Sequence, residues 1–324
     1  MATIALSPAA PGARIVSLGH YLPATVLTSE EVASRLTVDA EWIVSRTGIR
    51  ERRVADKGET VVDLATAAAR HALAKLPSGT VDTVLVATST PDSTMPSVAT
   101  RVAGRLGLPE PAAFDVNAAC AGFCYALATA DSLIRTGASR GALVIGADKA
   151  SAFLDWADRD TAVLFADGAG AALLQPAERP AIGPVLWGSA GERSELIMID
   201  AADGVLRQNG PAVYRWASGL GPMARRICDR AGIAPDQLAA FIPHQANLRI
   251  INALAAHLKL GEENYVATDV VDTGNTMAAT IPLALSRMSE KRPVADDEGV
   301  LLFGFGAGLA YAGQIITLNG LARG

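Results

Sequence analysis

Cysteine is scarce in this chain, with three residues in 324. An odd, low count excludes a disulfide-built scaffold and suits a reducing compartment, so the chain is expected in the cytoplasm. Aromatic residues make up only 5%, and acidic and basic side chains are mixed to a formal charge of −5. A nucleic-acid-binding domain would carry a basic excess, so nucleic acid is not an expected partner. No apolar run of about 18 residues is free of charges or turn signals, so no membrane span is expected. The opening MATIALSPAAPGARIVSLG has no basic stretch ahead of an apolar core and makes a poor secretory leader.

What the chain does have is apolar bulk: half of its residues, enough for one large core or two ordinary ones. Abundant Ala and Gly point to close helix and sheet packing. Short β-branched runs alternate with Ala/Leu-rich stretches, the mark of an α/β fold. VDTVLVAT (81–88), AAFDV (112–116), GALVIGAD (141–148) and TAVLFADGAGAALL (161–174) read as strands. SVATRVAGRLG (97–107) and CAGFCYALATADSLIRTG (120–137) read as helices closed by glycine. The second half repeats the order. LAAFIPH (238–244) and NYVATDV (264–270) are strands, 246–261 and 276–290 helices, and GVLLFGFGAGLAYAGQIITL (299–318) two strands around a glycine turn. LFADGAGAALL matches LFGFGAGLAYAG, so each half ends in a similar Gly-rich pair. These features predict a duplicated fold with halves 1–176 and 177–324, divided near the Pro-rich PAERPAIGP.

The pair Cys120 and Cys124, in FDVNAACAGFCYALA, poses the chemical question. No second Cys or His pair has ligand spacing, so no metal site is expected. A disulfide at i and i+4 within one helix has poor geometry. Core packing suits Cys124 and Cys228. Cys120 differs, because it lies where a strand gives way to a helix. Free N–H groups there favour a thiolate and can form part of an oxyanion hole, and Gly122 allows close approach. Of four histidines, His20, His71 and His257 read as structural or solvated. His244, in FIPHQAN, follows an apolar strand and precedes a helix, and Asn275, in TGNTMAAT, holds a similar place in the next unit. Ligands of open α/β sheets gather beyond the carboxyl ends of strands, so Cys120, His244 and Asn275 are expected to converge. Two chemistries fit. A papain-like hydrolase pairs Cys with His and uses Asn to orient the imidazole. Alternatively, His and Asn both donate to one carbonyl and stabilise an enolate, as decarboxylation of a malonyl group requires.

The chain resembles the β-ketoacyl-acyl carrier protein synthase III family of thiolase-fold condensing enzymes over nearly its whole length. The resemblance runs through EWIVSRTGIRERR, DVNAACAGFCYALATA, DRDTAVLFADGAGAALL, VYRWA, PHQANLRI, GNTMAATIPLAL and GFGAGLAYAG, in order. It implies a five-layered αβαβα homodimer. It further implies acylation of Cys120 by an acyl-CoA, decarboxylation of malonyl-acyl carrier protein held by His244 and Asn275, and release of a 3-oxoacyl-acyl carrier protein. Backbone N–H groups of Cys120 and Gly306 would form the oxyanion hole. Trp42 and Arg46 would sandwich the CoA adenine, and Arg159 would add an adenine or phosphate contact. Gly210, Tyr214, Asn247 and Arg249 would line the pantetheine tunnel, while Arg215 and Arg249 would meet the acidic carrier protein. Met95 would close the partner subunit's acyl pocket. No metal or redox cofactor is implied. Met277, Ala166, Tyr311 and Val38 depart from the family's common pattern, as do Ala256 and His257, and these departures bear on acyl preference and partner affinity. The alternatives are a starter-unit ketosynthase or acyltransferase of a polyketide or antibiotic pathway and, if the site is silent, a scaffold for an active partner.

Overall fold

The computed structural model describes residues 9–74, 81–292 and 294–322. Two five-stranded mixed sheets organise them. In spatial order, the first runs Gly12–Tyr21, Asp167–Ala177, Ala142–Lys149, Thr83–Ala87 and Ala112–Val116. The second runs Leu186–Ser189, Ala310–Ile316, Gly299–Gly306, Leu238–Pro243 and Tyr265–Val266. In each sheet the first two pairings are antiparallel and the last two parallel. The duplication read from the sequence is therefore a duplication of topology. Strand Asp167–Ala177 ends one residue past the break expected at 176.

Five layers follow from where the apolar faces go. Helices Gly122–Arg135 and Thr280–Lys291 lie between the sheets, and Phe123, Leu127, Ile134, Ile281 and Leu285 join residues of both sheets in one core. Helices Val61–Leu73 and Val98–Leu106 cover the outer face of the first sheet. Helices Gly221–Ala231 and Leu248–Leu258 cover that of the second. Small residues make this stacking possible. A Cβ on Gly146, in the strand beneath the central layer, would stand 2.3 Å from the Ala278 carbonyl oxygen, so only glycine fits. Cys124 lies in the central core and Cys228 in the outer core of the second half, both buried, as expected of packing residues.

Three elements differ from the sequence reading. Residues 161–164 are a turn, not a strand, because Asp158 accepts hydrogen bonds from the Thr161 hydroxyl and, through its other oxygen, from the Asp160 N–H, and Phe165 makes only an isolated bridge to Asn275. The strand expected at 264–270 is only Tyr265–Val266, after which the chain turns into the short helix Val270–Thr273. The helix expected from Cys120 begins at Gly122, and Cys120 sits on a preceding 3-10 turn, Ala119–Ala121. Among the described residues, no helix is long and apolar enough to cross a membrane.

Candidate active site

Both halves present the same local device. In the first, Asn117 precedes Ala119, which takes a left-handed φ of 45°, and a 3-10 turn feeds the helix Gly122–Arg135. In the second, Asn275 precedes Met277, at φ 51°, and a 3-10 turn feeds the helix Thr280–Lys291. In each turn the asparagine Oδ1 accepts the N–H two residues on, at 3.4 Å for Ala119 and 2.9 Å for Met277. Left-handed backbone is uncommon away from glycine and marks a site held by its surroundings. Cys120 follows the first strained residue. Its counterpart after the second is Ala278.

A cavity of about 1040 Å³ is lined by both halves. Cys120, His244 and Asn275 all border it and are 5%, 2% and 4% exposed, so the three residues expected to converge do so in a buried pocket. Asn275 belongs to the second half but is positioned by the first. Its N–H donates to the Leu164 carbonyl and its carbonyl accepts the Ala166 N–H, both at 2.9 Å. Because Met277 N–H occupies Oδ1, the amide's donor side is free to face the cavity. The ring of His244 packs edge-on against Phe305, with centroids 5.3 Å apart, and its Nδ1 lies 2.8 Å from the Thr280 hydroxyl. Burial drives its pKa down to about 3, so the imidazole is neutral at physiological pH. Thr280 has one hydroxyl proton and two neighbours, Nδ1 and the Met277 carbonyl at 3.0 Å. That carbonyl already accepts the Thr280 N–H. Turning the hydroxyl onto Nδ1 therefore leaves no buried acceptor unsatisfied, and it makes Nε2–H the donor.

One expectation about Cys120 is corrected. The helix N-terminus was expected to lower its pKa; instead the thiol is pushed up to about 12, first by burial and then by the Asp148 carboxylate, with its own N–H and that of Ala307 only partly offsetting this. The sulfur is a thiol at rest. Gly306, expected as an oxyanion donor, also supplies space, since a Cβ there would lie 2.7 Å from Cys120 Cβ and 2.9 Å from Sγ, and the N–H of the next residue, Ala307, favours the thiolate. Sequence reading missed Asp148 altogether. This fully buried carboxylate accepts from Ser89 N–H and the Thr88 and Thr90 hydroxyls, and from Ala278 N–H at 2.8 Å, tying the second turn to the first half. Burial raises its pKa to about 6. An acidic residue ending an apolar strand was the available signal.

The remaining expected residues, except Met95, line the same cavity. Arg46, Arg159, Arg215 and Arg249 are exposed, so a buried polar end opens toward four guanidinium groups on a chain of net negative charge. Arg159 stands over the Trp42 ring at 5.8 Å, and Arg249 stands over Tyr214 at 4.9 Å. Asn247 caps helix Leu248–Leu258 by accepting Arg249 N–H and donates to the Arg46 carbonyl at 3.1 Å, so its amide is already engaged in holding the wall. Gly210 begins the helix Gly210–Ser218, which carries Tyr214 and Arg215. Met95 is 84% exposed and does not border this cavity. His20, His71 and His257 lie away from this cavity.

Comparison with known proteins agrees with this geometry. Sequence models of 3-oxoacyl-[acyl-carrier-protein] synthase III match residues 114–191, and those of its C-terminal domain match 228–318. The chain is 53% identical to β-ketoacyl-[acyl-carrier-protein] synthase III 2 of Streptomyces avermitilis, over 94% of this chain and 98% of that protein. It is 40% identical to the synthase III of Kocuria rhizophila, over 98% and 100%. Among solved structures, the priming β-ketosynthase of the R1128 polyketide pathway superposes with TM-score 0.93 at 38% identity, covering 96% of this chain and 98% of that one. The synthase III of Pseudomonas aeruginosa superposes with TM-score 0.90 at 40% identity, covering 95% and 98%. A buried Cys/His/Asn cluster at facing turns of a duplicated five-layered fold thus coincides with near-full-length likeness, and the chain belongs to the β-ketoacyl-acyl carrier protein synthase III family of condensing enzymes.

Proposed function

We propose that Cys120 is the acyl-accepting nucleophile, with His244 and Asn275 holding the malonyl thioester. The carrying observation is that a neutral buried imidazole and an amide with its oxygen already engaged border the same cavity as the cysteine. The Cys120 sulfur attacks the acyl-CoA carbonyl, and its proton ends on the departing CoA sulfur. Ala307 N–H and Cys120 N–H stabilise the oxyanion formed on the way. Malonyl-acyl carrier protein then enters. His244 Nε2–H and the Asn275 amide donate to its thioester carbonyl, the carboxylate leaves as CO2, and the electron pair of the broken bond forms the enolate. Its carbon attacks the acyl-Cys120 thioester, and collapse expels the cysteine sulfur, which regains a proton. The product is a 3-oxoacyl thioester on the carrier protein. Two neutral donors aimed at one carbonyl suit this reading better than a hydrolase, which needs a basic imidazole beside a thiolate.

Along the cavity, Trp42, Arg46 and Arg159 bind the adenine and phosphates of CoA, and Gly210, Tyr214, Asn247 and Arg249 border the pantetheine arm. Arg215 and Arg249 meet the acidic carrier protein. The cycle runs on side chains and substrates alone, with no resident metal or redox cofactor. The working form is a homodimer in the cytoplasm. The first sheet ends in an edge strand, Ala112–Val116, that exposes Phe114, and bare edges invite pairing. Asp115 of that strand accepts the N–H groups of Val98 and Ala99 at 2.8 Å, which sets the loop bearing exposed Met95 against the same edge. Across it, Met95 reaches the partner's acyl pocket. A second reading, starter-unit synthesis in a polyketide pathway, is favoured by the likeness to a priming ketosynthase.

The test is to mix the protein with an acyl-CoA panel and malonyl-acyl carrier protein and weigh both proteins. Acyl mass on the Cys120 peptide and a 3-oxoacyl carrier protein are expected, and the preferred starter separates the two pathways. Acylation of Cys124 or Cys228 instead would overturn the assignment.

A further inference from the structure

Met277 meets the reactive groups from three directions. Its N–H holds Asn275 Oδ1 at 2.9 Å, and its carbonyl, which accepts the Thr280 N–H, lies 3.0 Å from the Thr280 hydroxyl that abuts His244. Its side chain, 3% exposed, packs in one apolar group with Cys120, Ala150, Phe165 and Leu206. The two backbone contacts need only the peptide at this position and its left-handed turn. The side chain is free to serve another purpose. In the cycle proposed above, the acyl group starts on the Cys120 sulfur, so it begins its run inside that same apolar group. Phe165 and Leu206 are stiff walls. Met277 is the unbranched, adaptable one, with three heavy atoms beyond Cβ.

We propose that the Met277 side chain sets the upper length of the acyl group. The thioether occupies the space into which a longer chain would extend, so the site takes short alkyl starters and truncation admits about three more carbons. The inference rests on the acyl-Cys120 reading.

The test is kcat/KM for acetyl-, butyryl-, hexanoyl- and octanoyl-CoA with the parent, Met277→Ala and Met277→Leu. The measured quantity is the hexanoyl-to-acetyl ratio within each protein, which cancels any loss of folded material. We expect that ratio to rise by about tenfold or more in Met277→Ala, since a single methylene is worth roughly tenfold or more in a fitted pocket. The volume-conserving Leu variant should stay within about threefold of the parent. A merely structural role would lower all four substrates alike, and an unchanged ratio in Met277→Ala with Cys120 still acylated would overturn the inference. Absence of acyl-Cys120 in the parent with every substrate would instead overturn the reading beneath it.

Discussion

Replacing Gly306 by alanine adds one methyl group directly against Cys120, the proposed nucleophile. Gly306 has φ 173° and ψ −149°, extended backbone that alanine adopts freely, so the substitution carries no intrinsic conformational cost. The added Cβ would stand 2.7 Å from Cys120 Cβ and 2.9 Å from Sγ. Carbon atoms in contact prefer about 3.5–4.0 Å, so the two chains must part by about 1 Å. The cysteine turn has little slack, because a Cβ on Gly304 would already lie 2.9 Å from Ala121 Cα and one on Gly122 would lie 3.0 Å from Ala87 Cβ. Overpacking of this kind costs about 1–3 kcal/mol. A displacement of about 1 Å at reacting groups costs on the order of 100-fold in rate. The assay is the single-turnover rate of acyl-Cys120 formation by mass spectrometry, beside the melting temperature. We expect acylation slowed by roughly 100-fold and melting lowered by a few degrees. Parental acylation at an unchanged melting temperature would mean that the sulfur does not face Gly306, and would also remove Ala307 N–H as its donor.

Two further predictions concern charge. His244 has its pKa depressed by burial to about 3, against about 6.5 in the unfolded chain. Its contribution to stability is therefore complete above pH 6.5 and is lost as pH falls toward 3, by about 1.4 kcal/mol per unit. The stability of the parent minus that of His244→Gln, from urea unfolding, should fall by about 2–3 kcal/mol between pH 6.5 and 4.5, and a flat difference would show that the imidazole titrates normally. Asp148, present in both proteins, cancels from that difference. Arg249→Ala should raise KM for malonyl-acyl carrier protein by about 5- to 10-fold, the worth of one partly exposed charge–partner contact. It should leave kcat within about twofold, and a fall in kcat at constant KM would move Arg249 from binding into the chemistry.

The parts of this protein legible in its sequence are those fixed by local pattern. Strands 112–116 and 238–244 and the helix 97–107 follow from apolar runs and a glycine stop, and the structure has them at Ala112–Val116, Leu238–Pro243 and Val98–Leu106. The apolar run TAVLFA misleads for the same reason. It is apolar because Val163 and Phe165 are buried, but it is a turn because the Asp158 carboxylate captures the Asp160 N–H and the Thr161 hydroxyl. The left-handed turns at Ala119 and Met277 leave no local signal, since neither residue is glycine or asparagine. They are imposed from outside, and so are Asp148 and Thr280, whose partners lie 130 residues away at Ala278 and 36 away at His244.

These long-range bonds explain why the site needed a duplicated fold. Each half alone offers an asparagine, a strained turn and a helix. The second turn is held by the first half as well as by its own asparagine: Asn275 is fixed on both backbone sides by Leu164 and Ala166, and Ala278 by Asp148. With the second turn clamped by the first half, the equivalent positions carry different residues, cysteine at 120 and alanine at 278. The left-handed backbone at Met277 lies between Asn275 and Ala278, and the bonds that cross from the first half to those two residues sustain it.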